Sequence, residues 1–197
     1  MKTLLTTLTL LLFCLTPTLA QFGDADAAAI ALEQLEISEE PQLALNQIMN
    51  LDLSQASPQR RVEFGLLAAD YTISLRRFDL LPKYLAVVEK SLEELPSSPR
   101  AMAQFLYLTL QQKADGFLKP ERARRELLPN LERALNFIKD YKVSREDGET
   151  WVCSRLFLGR AFAYWVRELV EYQVLLDQDV TEPISQVRKR AEETALD

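Results

Sequence analysis

Histidine is absent from all 197 residues, and the chain has only two cysteines and five glycines. Without imidazole there is no Ser–His or Cys–His nucleophile pair, no histidine general base and no histidine metal ligand. Two cysteines are too few for a structural zinc site, and sparse glycine leaves no phosphate-cradling loop. Tight hairpin turns draw on glycine whereas helix bundles need little of it, so the same scarcity points to an all-α fold. No Asn-x-Ser/Thr sequon occurs. Neither a metal nor an organic cofactor is expected.

The first twenty residues differ from the rest. Lys2 carries their only charge, an apolar Leu/Thr/Phe stretch runs from Thr3 to Leu15, and Pro17-Thr18-Leu19-Ala20 ends in a small residue. This is the pattern of a signal peptide over 1–20, cut after Ala20, with 21–197 as one all-helical domain. An uncleaved anchor is the competing reading, but the segment is short and threonine-diluted for a span of about 20 residues. Phe13 stands before Cys14, where a lipoprotein needs a small residue. Cleavage removes Cys14 and leaves Cys153 alone, so no intramolecular disulfide forms and the core must hold the fold. Cys153 reads as a buried small hydrophobe. The expected location is periplasmic or secreted, and the missing sequons and disulfides favour a bacterial periplasm.

Losing Lys2 and no acid takes the net charge from −6 to −7. An acidic protein repels nucleic acid and anionic headgroups, so neither is expected as a partner. Arg155, Arg160, Arg167, Glu168 and Glu171 interrupt the most apolar later stretch, so no membrane span is expected in the mature chain.

Helix openings recur along the chain. Ser57-Pro58 and Ser98-Pro99 place a capping hydroxyl before a proline suited to the first helical position. Thr181 precedes Pro183, Lys119-Pro120-Glu121 puts an acid at the positive end of a helix dipole, and Ser144 to Asp147 resembles a capping box. Phe64, Leu67, Ala68, Tyr71 and Leu75 fall on one helical face, as do Leu127, Leu131, Ala134, Leu135 and Ile138. Eight helices are predicted, over 24–36, 39–51, 58–77, 79–95, 98–115, 119–141, 147–177 and 182–195. Asp79 is the expected cap ahead of Pro82. Pro129 is expected to kink or divide the sixth helix, and the polar tail Arg188 to Glu193 to fray.

Short connections make successive helices antiparallel pairs. Phe64-x-x-Leu67-Ala68-x-x-Tyr71 resembles the first helix of a tetratricopeptide repeat. Phe105-x-x-Leu108, followed by Thr109 and Gln112, is similar in part, as is Leu158-Gly159-x-x-Phe162, where Arg155 replaces the leading aromatic. Phe64 to Phe105 is 41 residues and Phe105 to Arg155 is 50, against a family period of about 34. The resemblance covers roughly residues 58–162. It implies stacked antiparallel helical hairpins in a tetratricopeptide-like superhelix, with a compact helical bundle as the alternative.

Carboxylates are the catalytic residue type that remains. Asp70, Glu168 and Glu171 are the candidates for a hydrolase acting on an extracytoplasmic polymer, with a solvated face as the simpler reading of Asp70. Basic pairs such as Arg60-Arg61 also read as solvated faces. Trp151 to Leu176 is the segment richest in aromatics, and Arg160, Tyr164, Arg167 and Glu171 form one narrow stripe along it, where Arg167 and Glu171 can pair. It reads either as a central helix buried on nearly all sides or as the lining of a partner groove made by Trp151, Tyr164, Trp165, Arg160 and Arg167. The leading expectation is an exported, non-catalytic scaffold that binds a protein or peptide. The alternatives are the hydrolase and a carrier of an apolar ligand near Trp151 and Trp165.

Overall fold

The computed structural model describes residues 40–53, 56–139, 141 and 154–195, with 154–156 and 195 described by backbone alone. The expected signal peptide, the helix over 24–36, the Ser144 capping sequence, Trp151 and Cys153 lie outside the described residues. Within them the fold is all-α: α1 (Pro41–Met49), α2 (Pro58–Ser74), α3 (Leu81–Leu92), α4 (Ser97–Leu118), α5 (Pro120–Phe137), α6 (Ser154–Leu176) and α7 (Thr181–Ala195). No strand occurs among the described residues.

Local chemistry opens these helices, though not always at the residue expected. Ser57 caps α2 by accepting the Arg60 N–H at 3.3 Å, with Pro58 at the first position. Lys119 is the single residue between α4 and α5, Pro120 begins α5, and Glu121 lies in its first turn. Asp79 does not cap α3; Leu80 holds that place, and Asp79 instead pairs with Arg77 at 3.2 Å. Two bonds to a nearby guanidinium replace a single bond to the helix backbone. Likewise α4 starts at Ser97 with no side-chain cap. Asp179, not Thr181, accepts the first N–H of α7, at 2.9 Å. Helix α2 closes with the Arg77 N–H on the Thr72 carbonyl at 2.7 Å and the Arg76 N–H on the Ile73 carbonyl at 3.1 Å. This Schellman closure puts Arg76 in the left-handed region, at φ 57°.

Pro129 does not divide its helix: α5 runs unbroken through it. Pro129 and Arg125, whose carbonyl loses its donor, are both solvent-exposed, so that carbonyl is not stranded in the core. The tail does not fray either. Val187 is fully buried, and Arg190 donates to the Lys139 carbonyl at 2.8 Å and pairs with Glu193.

Helices α2 and α3 form an antiparallel hairpin, because contacts move down one as they move up the other. Gly65 faces Val88 and the Tyr84 carbonyl, while Arg61, one turn earlier, reaches Ser91 at 3.2 Å and Glu94 at 2.8 Å. A Cβ at Gly65 would lie 2.6 Å from Val88 Cγ2, so glycine sets how closely the two helices approach. Arg60 and Arg61 are therefore not a solvated pair. Arg60 is buried against Glu63 at 2.5 Å, and Arg61 ties the hairpin together. Helices α4 and α5 pair in the same way through buried Gln112, which donates to the Ala123 carbonyl at 2.8 Å and accepts from Asn130 at 2.7 Å. Helices α6 and α7 form the third pair.

The first helices of successive pairs also touch: α2 lies on α4 and α4 on α6, with α1 packed on α2. One core runs through the stack, from Leu45 and Ile48 of α1 to Val187 of α7. Phe64, Leu67, Ala68 and Tyr71 are all buried in it, as are Phe105, Leu108, Thr109 and Gln112. Gly159 is different. It is exposed, and a Cβ there would meet nothing within 4 Å, so it does not take the close-packing place of the small residue in the tetratricopeptide pattern.

Candidate partner-binding groove

Three first helices meeting side by side leave an open cavity of about 310 Å³ along one face of the stack. From α4, Leu106, Leu110 and Lys113 recur at helical spacing and form its floor. From α6 come Phe157, Arg160, Ala161, Tyr164 and Arg167, and from α2 comes Asp70. A second cavity of about 360 Å³ adjoins the first through the shared residues Asp70, Lys113 and Arg160, and reaches Glu40, Pro41 and Ser74. Together they make one groove. One turn beyond Lys113 on the floor stripe, Phe117 is about half exposed. The Arg76 guanidinium stands 5.8 Å from its ring centre, and Phe78 tilts against it at 5.8 Å.

The stripe on α6 divides as follows. Arg160, Tyr164 and Arg167 border the groove. Arg167 pairs with Glu168 at 2.9 Å, lies 3.8 Å from Glu171, and stacks 5.4 Å from the Tyr164 ring centre. Its hydrogen bond to Glu168 is the main reason its pKa is raised further. Burial pushes the Tyr164 phenol far above the ordinary tyrosine range, with Glu168 adding to the effect, so the hydroxyl stays protonated at any physiological pH.

Trp165, expected to share the groove, is excluded from it. It is fully buried on an adjacent side of α6, where the indole Nε1–H donates to Thr109 Oγ1 at 2.9 Å. One residue of chain turns a helix by about 100°, which carries Trp165 into the core while Tyr164 keeps the groove. The helix is thus not enclosed on nearly all sides. Trp165 and Leu169 are buried, whereas Arg160, Ala163, Arg167, Glu171 and Val174 face solvent.

Asp70 is not on a solvated face. Its side chain keeps 14% exposure and accepts from Lys113 Nζ at 2.5 Å, across 43 residues of sequence. Among the described residues Asp70 is the one carboxylate lining the first cavity, and the second adds Glu40 at its edge. Glu168 and Glu171 line a separate crevice of about 140 Å³ with Gln112, Tyr172 and Leu175. The three candidate acids therefore do not converge on one cleft. Lys113 is the groove residue that sequence reasoning passed over. It stands one place after Gln112 in an ordinary helix, and only its long-range partner marks it.

No helix of the described residues is long and apolar enough to cross a membrane. No family model matches the chain, and neither the curated proteins nor the solved structures compared with it yield a match.

Proposed function

We propose that this protein is an exported helical-hairpin scaffold that holds a protein or peptide partner in the groove between α2, α4 and α6, without catalysis. The observation that carries the reading is the pair of adjoining cavities. The first has an apolar floor and a polar rim supplied by the first helices of three successive hairpins, and the second extends the rim to Glu40 and Pro41 at the start of α1. A ligand surface built this way is concave, mostly apolar and set by a few placed polar groups, as binding sites commonly are. The charged signal at Lys2, the apolar run after it and Ala20 support export. The buried positions Phe64 to Tyr71 and Phe105 to Gln112 support a tetratricopeptide-like stack.

A photo-crosslinking side chain at Ala163, exposed on the groove wall, tests the reading in the native source. The control site is Lys189, exposed on α7. The expected result is one discrete protein adduct from 163 and none from 189. Absence of an adduct, or equal adducts from both sites, defeats the proposal. Mass spectrometry of the exported form tests the signal, with Gln21 expected as its first residue.

A further inference from the structure

Helix α6 is the last of the three stacked first helices, and the side it turns away from α4 is apolar and open. Gly159, Ala163, Val166, Val170 and Val174 follow one another at steps of four, three, four and four, so they form a single stripe. Trp165 marks the side that meets α4, through its bond to Thr109. At about 100° per residue, Ala163 and Val174 stand about 160° and 180° around the helix from it. Val174 is 78% exposed and Val170 46%, Gly159 and Ala163 are also exposed, and a Cβ at Gly159 would meet nothing within 4 Å. The stripe carries no charge over about four turns. A stack of helical hairpins stays soluble by turning a polar face outward at its ends. Here an uncharged face stands where a further first helix would continue the stack.

The order of sizes along the stripe says what fits it. Gly159 and Ala163 precede the midpoint between Val166 and Arg167 by the same distances along the chain at which Val174 and Val170 follow it. A second α6 laid antiparallel about that midpoint therefore sets each small residue against a valine of the other copy, Gly159 on Val174 and Ala163 on Val170, twice over. A parallel pair would set glycine on glycine and valine on valine. Arg167, the charge nearest the midpoint, is held by Glu168 at 2.9 Å and lies 3.8 Å from Glu171 on its own helix, so two copies do not meet as bare like charges. The stripe is about 22 Å long on a helix about 10 Å wide, which is less surface than a permanent dimer buries. The pairing is weak and depends on concentration.

We propose that a second copy of this chain docks antiparallel on the α6 stripe and forms a symmetric, reversible dimer. The dimer does not depend on what the groove binds. Sedimentation velocity of the purified protein at rising concentration tests it, under reducing conditions so that no cysteine bridge contributes. The expected result is a monomer–dimer equilibrium with a Kd on the order of micromolar. The V170E/V174E double variant, altered at two exposed positions, should weaken association at least about tenfold by burying unpaired carboxylates in the seam. Its thermal melt at high dilution should match that of the unaltered protein. Gly159→Leu meets open space in the single chain but collides with Val174 of the other copy, so it too should weaken the dimer, and adding Val174→Ala should restore it. Should V170E/V174E fail to fold, Val174→Glu alone carries the same test. A protein that stays monomeric to about 1 mM, or that dimerises equally well as V170E/V174E, overturns the proposal. A Gly159→Leu variant that dimerises like the unaltered protein, or that Val174→Ala does not rescue, overturns the antiparallel pairing and the proposal with it. Either failure leaves the groove reading untouched. Ala163 borders both stripe and groove, so a 163 adduct made of two copies of this chain belongs to the seam and not to a groove partner.

Discussion

Trp165 and Thr109, 56 residues apart in sequence, are joined in the core by a 2.9 Å hydrogen bond from the indole N–H to the threonine hydroxyl. The Thr109 O–H in turn donates to the Phe105 carbonyl at 2.8 Å. The pair thus connects α6 to α4 at the place where their first-helix faces meet, and Phe162 packs on Phe105 beside it at 4.9 Å between ring centres. Thr109→Val keeps the shape but leaves a buried indole N–H without an acceptor, which costs about 1–3 kcal/mol. In a Trp165→Phe background the same change should cost much less, because the donor is gone. Urea denaturation of the two single variants and the double variant measures this coupling, and additive costs would deny the bond any role in stability.

Gly65→Ala should destabilise although alanine is the better helix former. The gain in propensity is about 1 kcal/mol, but the new methyl would lie 2.6 Å from Val88 Cγ2 and 3.3 Å from the Tyr84 carbonyl oxygen. The backbone carbonyl cannot swing aside, so α3 must shift, and overpacking of this kind costs about 1–3 kcal/mol. Gly159→Ala meets open space and should stabilise by up to about 1 kcal/mol. Thermal melts of the two variants should move in opposite directions.

Pro129→Ala should raise stability, by about 1–3 kcal/mol. The substitution restores the N–H that α5 lacks and relieves the ring at the Arg125 carbonyl, and the exposed site leaves no hole behind. Guanidinium denaturation decides the matter. A loss of stability would mean that the proline ring makes packing contacts worth more than the missing bond.

Alkaline pH should weaken the fold through its tyrosines. Burial raises the phenol pKa of Tyr164, Tyr84 and Tyr107 above that of the unfolded chain. A raised folded-state pKa means that the unfolded state gives up its proton first, so stability is complete below the ordinary tyrosine value of about 10 and falls as pH rises past it. Tyr164→Phe should shrink the difference in denaturation midpoint between pH 8 and pH 11. Absorbance titration at 295 nm should show one fewer late-ionising phenol in that variant.

Much of the helix plan was legible in the chain because it depends on neighbours close in sequence. Ser57 before Pro58 and Lys119 before Pro120 mark starts that the structure keeps, since a cap and a proline act within three residues. Asp79 was legible only as a cap. A guanidinium two residues away offered it a better partner, and both outcomes are compatible with the same local pattern. The groove was half legible: Arg160, Tyr164 and Arg167 share a stripe by spacing alone. Trp165 misled because aromatic content does not say which side of a helix faces a neighbour.

Composition and periodicity, read without coordinates, suffice for an all-α chain with amphipathic helices, because scarce glycine and helical spacing act residue by residue. They cannot supply the pairing of Asp70 with Lys113, the close approach at Gly65, or the burial of Trp165 beside an exposed Arg167. Each of those depends on which face of one helix meets which face of another. That choice is made by packing over tens of residues, and no local pattern records it.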